Sequence, residues 1–291
     1  MRIAFLGTGR MGTELALHLL PDHQLTVWNR TAARTSTLAE AGAAVADSPA
    51  DAVADADLVI TSLFGPEAVR ETVIAAGLIP AGIPWIDTTT VSPEDADEFA
   101  ESVPTYVGVP VIGTLGPARK GSLGVYVGTP DASLREQVLE VVAPWADPAR
   151  LTGVDSGRKA ATGKLLANLA LAISAQGLRE ALALGEAAGA SAEETLDMLG
   201  STGLAFIAGM KGAFVRGERT TEGGDFTADA IAKDARLMIG TVTAADDSTR
   251  PGGDLPALRG ALASLDAEIA AGHGDDDFST ILLPGAEPTG E

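Results

Sequence analysis

The sequence predicts an α/β Rossmann N-terminal domain with a mainly parallel sheet, followed by an all-α C-terminal domain joined to it by a long interdomain helix. Three observations carry that expectation. Short β-like runs alternate with helical stretches over the first half of the chain, a glycine-rich turn follows the first run, and only helix-forming patterns remain beyond about residue 159. Strands alternating with helices imply βαβ crossovers, because parallel neighbours cannot be joined by a tight turn.

Taken in order, Arg2–Leu6 reads as a strand and 11–20 as a helix with Met11, Leu15 and Leu19 on its apolar side. Gln24–Trp28 is a second strand, followed by a helix rich in Ala, Thr and Arg to about Ala41. Further strands are expected at 58–62, 83–87, 106–111 and 123–127, with helices near 66–76 and 93–101. Their near-continuous apolar runs suit strands covered on both faces. From 159 to 188 the chain lacks proline and is rich in Ala, Leu and Glu. That predicts a helix of roughly 30 residues, about 45 Å long at 1.5 Å per residue. Helices follow at 191–199, Ala205–Val215, 228–245 and 255–271, with loops at 225–226 and 246–253. The expected domains are therefore 1–155, holding the cofactor, and 156–291, a helical substrate and dimerisation domain.

Composition removes several classes of function. The 291 residues include 20 Lys and Arg against 40 Asp and Glu, a formal net charge of −20. Such a surface repels phosphate backbones and anionic bilayers, so neither nucleic acid nor membrane is an expected partner. The absence of cysteine excludes disulfides, thiolate catalysis and Cys-ligated zinc. His18, His23 and His273 stand in no catalytic setting, no HExxH occurs, and no metal is expected. The most apolar stretch, 165–178, is interrupted by Asn168, Ser174 and Gln176 and is shorter than the ~18–20 residues of a membrane span. With no cleavable apolar segment at the start, the expectation is a cytoplasmic protein acting on a small-molecule substrate.

The glycine-rich turn is Gly7-Thr8-Gly9-Arg10-Met11-Gly12, set between a strand and a helix. In a G-x-G-x-x-G the first glycine allows the turn, the second lets backbone approach a pyrophosphate, and the third lets helix and strand pack closely. Unpaired N–H groups and the positive end of the helix then face the phosphates. An NAD site places a carboxylate about 20 residues on, to hold the ribose 2′-hydroxyl. Here that position is Asn29, followed by Arg30, Thr31 and Arg34. Guanidinium groups without a carboxylate suit a 2′-phosphate, so NADP(H) is the expected cofactor. Leu63, just past the strand expected at 58–62, is also assigned to the cofactor surface.

With Trp28-Asn29-Arg30-Thr31, the glycine turn resembles the β-hydroxyacid dehydrogenases, the group that includes 3-hydroxyisobutyrate dehydrogenase and glyoxylate reductase. Asp87-Thr88-Thr89-Thr90-Val91-Ser92-Pro93 is similar to the family's D-x-S-T-x-x-P, which closes over the nicotinamide, with Thr90 at its threonine. On residue type alone, these threonines could equally cap a helix starting near Pro93. Val109-Pro110-Val111-Ile112-Gly113-Thr114 resembles the loop that holds a substrate carboxylate in the family. Ile112 stands where the family has serine, Gly108 where it has aspartate, Thr114 at its second glycine, and Pro117 at a later glycine. Ile112, Gly113 and Thr114 are thus the expected substrate contacts, with Thr114 able to supply the missing hydroxyl.

Lys164-Leu165-Leu166-Ala167-Asn168 is similar to the catalytic K-x-x-N-N, with Ala167 at the first asparagine. Four residues apart on a helix, Lys164 and Asn168 lie on one face. The resemblance makes Lys164 the general acid/base and Asn168 the holder of the substrate hydroxyl. Phe226 and Lys233-Asp234-Ala235-Arg236-Leu237 resemble F-x₆-K-D-x-x-L, in which the lysine reaches the cofactor. The implied activity is NADP(H)-linked interconversion of a small 3-hydroxy or 2-hydroxy acid with its semialdehyde or keto acid, in a homodimer or higher homo-oligomer. Two alternatives stand beside it. An imine reductase is favoured by Ile112 but opposed by Lys164, where those enzymes usually have Asp or Tyr. A non-catalytic NADPH-binding sensor or scaffold is permitted by the altered loop.

Overall fold

A computed structural model of the chain describes residues 1–245 and 252–283. They fall into two compact units, one spanning Met1–Leu165 and one beginning at Leu166. The first opens with β1 (Arg2–Leu6), α1 (Arg10–Leu19), β2 (Gln24–Trp28), a 3₁₀ turn (Ala32–Thr35), α2 (Ser36–Glu40), β3 (Ala44–Val45), α3 (Pro49–Val53) and β4 (Leu58–Thr61). It continues through α4 (Pro66–Val69), β5 (Trp85–Asp87), α5 (Pro93–Ser102), β6 (Tyr106–Gly108), β7 (Val111–Ile112), α6 (Leu115–Arg119), β8 (Leu123–Gly128), α7 (Ala132–Val142) and β9 (Ala146–Val154).

The sheet runs in the order β3-β2-β1-β4-β5-β6-β8-β7, with β9 paired to β8. β1, β2, β3, β4, β5 and β6 join parallel neighbours, whereas β8 meets β6 and β7 antiparallel and β9 parallel. The period-2 alternation of β1 divides its side chains between two cores. Ile3 and Phe5 join Leu15, Leu19, Val27, Ile60 and Trp145 on one face. Ala4 and Leu6 join Val59, Trp85, Phe99 and Tyr106 on the other.

The expected strand over 106–111 is two strands. Val109 N donates to Asp87 O at 2.7 Å, Pro110 has no N–H to continue the ladder, and β7 turns to pair antiparallel with β8. The helix expected to reach Ala41 is a 3₁₀ turn followed by the five residues of α2. β3, α3, α6 and β9 carry too little apolar period to be read locally, whereas α7, with Leu134, Val138 and Val142 at helical spacing, does carry one that the sequence reading passed over. β9, for example, is mostly exposed.

A 31-residue helix, α8 (Gly157–Ala187), carries the chain from the first unit into the second. Its two early glycines serve packing on the first unit. A Cβ on Gly157 would lie 2.8 Å from the Tyr106 ring, and one on Gly163 2.5 Å from the Tyr126 ring. The second unit adds α9 (Ala192–Met198), α10 (Ala205–Val215), α11 (Ala228–Ala244), α12 (Pro256–Glu268) and a 3₁₀ turn at Phe278–Leu282. Ser191 and Glu194 form a reciprocal capping box at the start of α9. Of the loop expected at 246–253, residues 246–251 lie outside the described residues.

The core of the second unit contains an ion pair. Lys211 Nζ lies 2.6 Å from Asp277 Oδ1, with side chains 3% and 0% exposed, and 3.9 Å from the centroid of the Phe278 ring. Asp277 also accepts from Ser279 N and Ser279 Oγ, and from Asp225 N. Burial pushes its carboxyl up, but the Lys211 charge and the Ser279 hydrogen bonds outweigh that and hold it below the usual range. Asp277→Asn is therefore expected to leave Lys211 buried without a counter-charge, at a cost of about 3–5 kcal/mol in urea unfolding. The double variant Lys211→Met, Asp277→Asn, which removes both charges and keeps an acceptor for Ser279, should lose much less. Equal losses would show that charge pairing is not what Asp277 contributes.

Candidate active site

The glycine turn leaves β1 at the carboxyl end of the sheet. Gly7 sits at φ +99°, and a Cβ there would lie 2.3 Å from Ser62 O. A Cβ on Gly12 would lie 2.1 Å from Gly7 O, so glycine alone permits the close packing of α1 on the turn. A Cβ on Gly9, in contrast, would meet nothing within 4 Å. Gly9 is also the N-cap of α1 and offers no capping side chain, leaving first-turn N–H groups for an anion. An open glycine face over an uncapped ten-residue helix fits a dinucleotide pyrophosphate.

Asn29 ties this turn to the next loop. Its Oδ1 accepts from Thr8 N at 3.1 Å and its Nδ2 donates to Thr31 O at 3.0 Å. Its carboxamide is thus engaged in holding the two loops together. Arg30, Thr31 and Arg34 are exposed just beyond it, Arg10 is exposed and Met11 half-buried on α1. Leu63 N donates to Thr89 Oγ1 at 3.1 Å, and Leu63 Cδ2 lies 3.0 Å from where a Gly7 Cβ would be.

The segment after β5 is organised by hydrogen bonds that its sequence left open. Ser92, not a threonine, caps α5, in a reciprocal box with Asp95. Thr88 and Thr89 instead connect neighbouring segments: Thr88 Oγ1 donates to Thr61 O at 2.9 Å and Thr89 Oγ1 accepts from Leu63 N, while Thr89 N donates locally to Asp87 Oδ1 at 3.0 Å. Thr90 is half-buried beside them.

Asp87 itself is 1% exposed. Its Oδ1 also accepts from Thr61 Oγ1 at 2.7 Å, while Oδ2 is buried with no hydrogen-bond partner. Burial pushes this carboxyl up to about 6, against the hydrogen bonds from Thr89 and Thr61 that favour the anion. Asp87 lines a small recess with Thr89, Val91, Tyr106, Gly108, Pro110, Gly157, Ala161 and Lys164. Tyr106 is pushed well up by burial and by the charges of Asp87, Asp95 and Asp97. Lys164 is half-buried at the recess, on the part of α8 that belongs to the first unit.

The loop expected to contact substrate is shaped by its glycine. Ile112 ends β7, opposite Gly124. Gly113 follows at φ +144°, where a Cβ would strike Leu123 at 2.6 Å. Thr114 begins α6 but its hydroxyl makes no capping bond there.

Within the second unit, Asn168 is buried and its Nδ2 donates to Asp234 Oδ2 at 2.6 Å. Lys233 Nζ lies 2.6 Å from Asp234 Oδ1. Asp234, 2% exposed, thus brings together two residues that sequence reasoning had selected from separate motifs. Asp87, Tyr106 and Asp234 were not selected. Asp87 and Asp234 both stood inside recognised motifs, but each signal was read for its neighbours.

Comparison with known proteins gives a consistent picture. Residues 2–153 match a family model described as the NAD binding domain of 6-phosphogluconate dehydrogenase. A probable 3-hydroxyisobutyrate dehydrogenase of Mycobacterium bovis is 31% identical over 96% of each chain. Glyoxylate/succinic semialdehyde reductase 1 of Arabidopsis thaliana is 28% identical over 97% of each. The solved structure of Mycobacterium tuberculosis 3-hydroxyisobutyrate dehydrogenase with L-serine superposes with a TM-score of 0.81, at 26% identity over 97% of each chain.

The raised Asp87 carboxyl makes a signed prediction. Between its unfolded value of 3.8 and about 6, the folded chain binds the extra proton. Ionising Asp87 therefore costs stability, a cost absent below 3.8 and complete above about 6. Because asparagine does not titrate, Asp87→Asn should gain on the native protein by on the order of 1 kcal/mol between pH 5 and pH 8. Urea midpoints at the two pH values check this. A difference that is constant or of opposite sign contradicts it.

Proposed function

The chain belongs to the β-hydroxyacid dehydrogenase family, and from that premise we propose that it is an NADPH-dependent reductase interconverting a small 3-hydroxy or 2-hydroxy acid with its semialdehyde or keto acid. It is an NAD(P)-dependent oxidoreductase; the finer reading rests chiefly on Lys164, which matches the family's K-x-x-N-N lysine in sequence and is half-buried. When bound, the nicotinamide supplies hydride to the carbonyl carbon or accepts it from the alcohol.

The residues of the chain do the rest. Lys164 Nζ delivers a proton to the carbonyl oxygen in reduction and removes it in oxidation. Asn168, one helical turn further along α8, holds the substrate hydroxyl while Asp234 fixes its amide. Gly7, Gly9 and Gly12 cradle the pyrophosphate, and Arg30 and Arg34 take the 2′-phosphate, with Asn29 holding Arg30's loop against the turn. Thr90 and Leu63 border the nicotinamide, and Lys233 reaches the cofactor. Backbone N–H groups around Gly113, with the uncommitted Thr114 hydroxyl, receive the substrate carboxylate.

One observation favours a second reading. Ile112 replaces a serine with an apolar side chain at the substrate loop, as a pocket for a cyclic imine would require. NADPH consumption measured with glyoxylate and succinic semialdehyde, beside a matched set of cyclic imines, separates the two: the proposal expects turnover with the acids, and turnover with imines alone refutes it.

Two variants test residue roles. Lys164→Ala should lower kcat roughly 10²–10⁴-fold with NADPH affinity nearly unchanged, the range for a lost general acid. Undiminished turnover would remove Lys164 from the mechanism. Arg30→Ala should weaken NADPH binding far more than NADH binding. Equal losses would rule out a 2′-phosphate contact.

A further inference from the structure

The recess that Lys164 lines is too small for a hydroxy acid, and a buried carboxylate stands in its largely apolar wall. Its free room is about 10 Å³, that of one water molecule, which is held stably where two to four polar partners converge. Asp87, Thr89, Tyr106 and Lys164 are the residues with polar side chains among those that line it.

The two oxygens of Asp87 are not equivalent. The Trp85 indole, a donor only, gives its N–H to Thr61 Oγ1 at 2.9 Å. The single hydroxyl proton of Thr61 is thereby left to point at Asp87 Oδ1, 2.7 Å away, where Thr89 N also donates. Oδ2 is buried, and among the described residues no donor reaches it. A buried carboxylate oxygen is ordinarily satisfied, by protein or by ordered water.

We propose that Asp87 is a positioning residue for Lys164: its free oxygen binds one internal water in the recess, and that water hydrogen-bonds onward to the Lys164 amine, fixing its place and favouring its protonated form. The proposal rests on the reading of Lys164 as the proton donor, and it extends that site by a carboxylate and a water. The other groups around Asp87 leave it as the anion that acts on the recess. β4 contributes the uncharged Thr61, and β6 contributes Tyr106, whose hydroxyl stays neutral. From α5, Asp95 is paired with Arg70 and Asp97 with Arg158 of α8. Protonation of Asp87 near pH 6 removes that anion, so the two titrations are coupled.

The test reads the lysine rather than turnover. Selective ¹³C,¹⁵N-lysine labelling reports each side-chain amine without altering it, and the Lys164 resonance is identified by its absence in Lys164→Arg. In the full-length native chain, its pH titration should show a second inflection near pH 6, where Asp87 takes up its proton. In Asp87→Asn, the Lys164 midpoint should fall by about one unit, a tenfold loss of proton affinity, because an opposite charge no longer favours the cation. A native titration without the second inflection overturns the proposal even if the variant does not fold, and so does an unshifted midpoint in a folded variant. Should both shifts be found while Lys164→Ala retains full NADPH turnover, the Asp87–Lys164 link stands and the general-acid reading falls.

Discussion

The register of the parallel strands at the carboxyl edge of the sheet is the constraint on which the first unit depends. Leu6 pairs with Trp28 and with Thr61, Thr61 with Asp87, and Asp87 with Gly108. One line of paired residues therefore ends β2, β1, β4, β5 and β6 at the same level. The glycine turn, Leu63, the threonine segment and the substrate loop all leave from that line. Ligand sites in open α/β sheets form outside the carboxyl ends of the strands for this reason: the loops that begin there are neighbours whatever their separation in sequence. A slip of one residue in β5 would exchange Asp87 with the apolar Ile86 and reverse the faces of both.

That edge also explains why polar side chains are tolerated in a dense core. Thr61 and Asp87 are buried beside Trp85, yet the chain from indole to hydroxyl to carboxylate satisfies each donor in turn. The same economy recurs in the second unit, where Asp277 collects Lys211, Ser279 and the backbone of Asp225, and Asp234 collects Asn168 and Lys233. Each network joins segments distant in the chain, so each fixes tertiary geometry as well as local charge. The three carboxylates nevertheless do different work. Asp277 anchors the C-terminal turn, Asp234 orients two site residues, and Asp87 keeps one oxygen unspent.

The loop proposed to meet the substrate departs from the family's motif, and its geometry limits the consequences. Gly113 holds a positive φ against Leu123, so the turn survives although the serine before it has become Ile112. What changes is chemistry, from a hydroxyl to an aliphatic side chain, while the adjacent backbone N–H groups and the Thr114 hydroxyl remain.

The sequence by itself determined whatever depends on local period and local backbone freedom. Alternating apolar runs identified β1, β2 and β4, a proline-free Ala/Leu-rich stretch identified α8, and the spacing of Gly7, Gly9 and Gly12 announced a turn that only glycine can make. It also singled out Lys164 and Asn168 as candidates, because a motif of five residues needs no knowledge of distant partners. Tertiary structure alone decided the pairings. Asp87 meets Thr61 across 26 positions and Asn168 meets Asp234 across 66, and no local pattern encodes which polar group a strand register or helix packing will bring opposite. Asn29 was legible as a residue of the site, but its use as a brace between two loops was not. Exposed elements such as β3 and β9 escaped for the complementary reason. Their strands are made by the neighbours they pair with, and that information lies elsewhere in the chain.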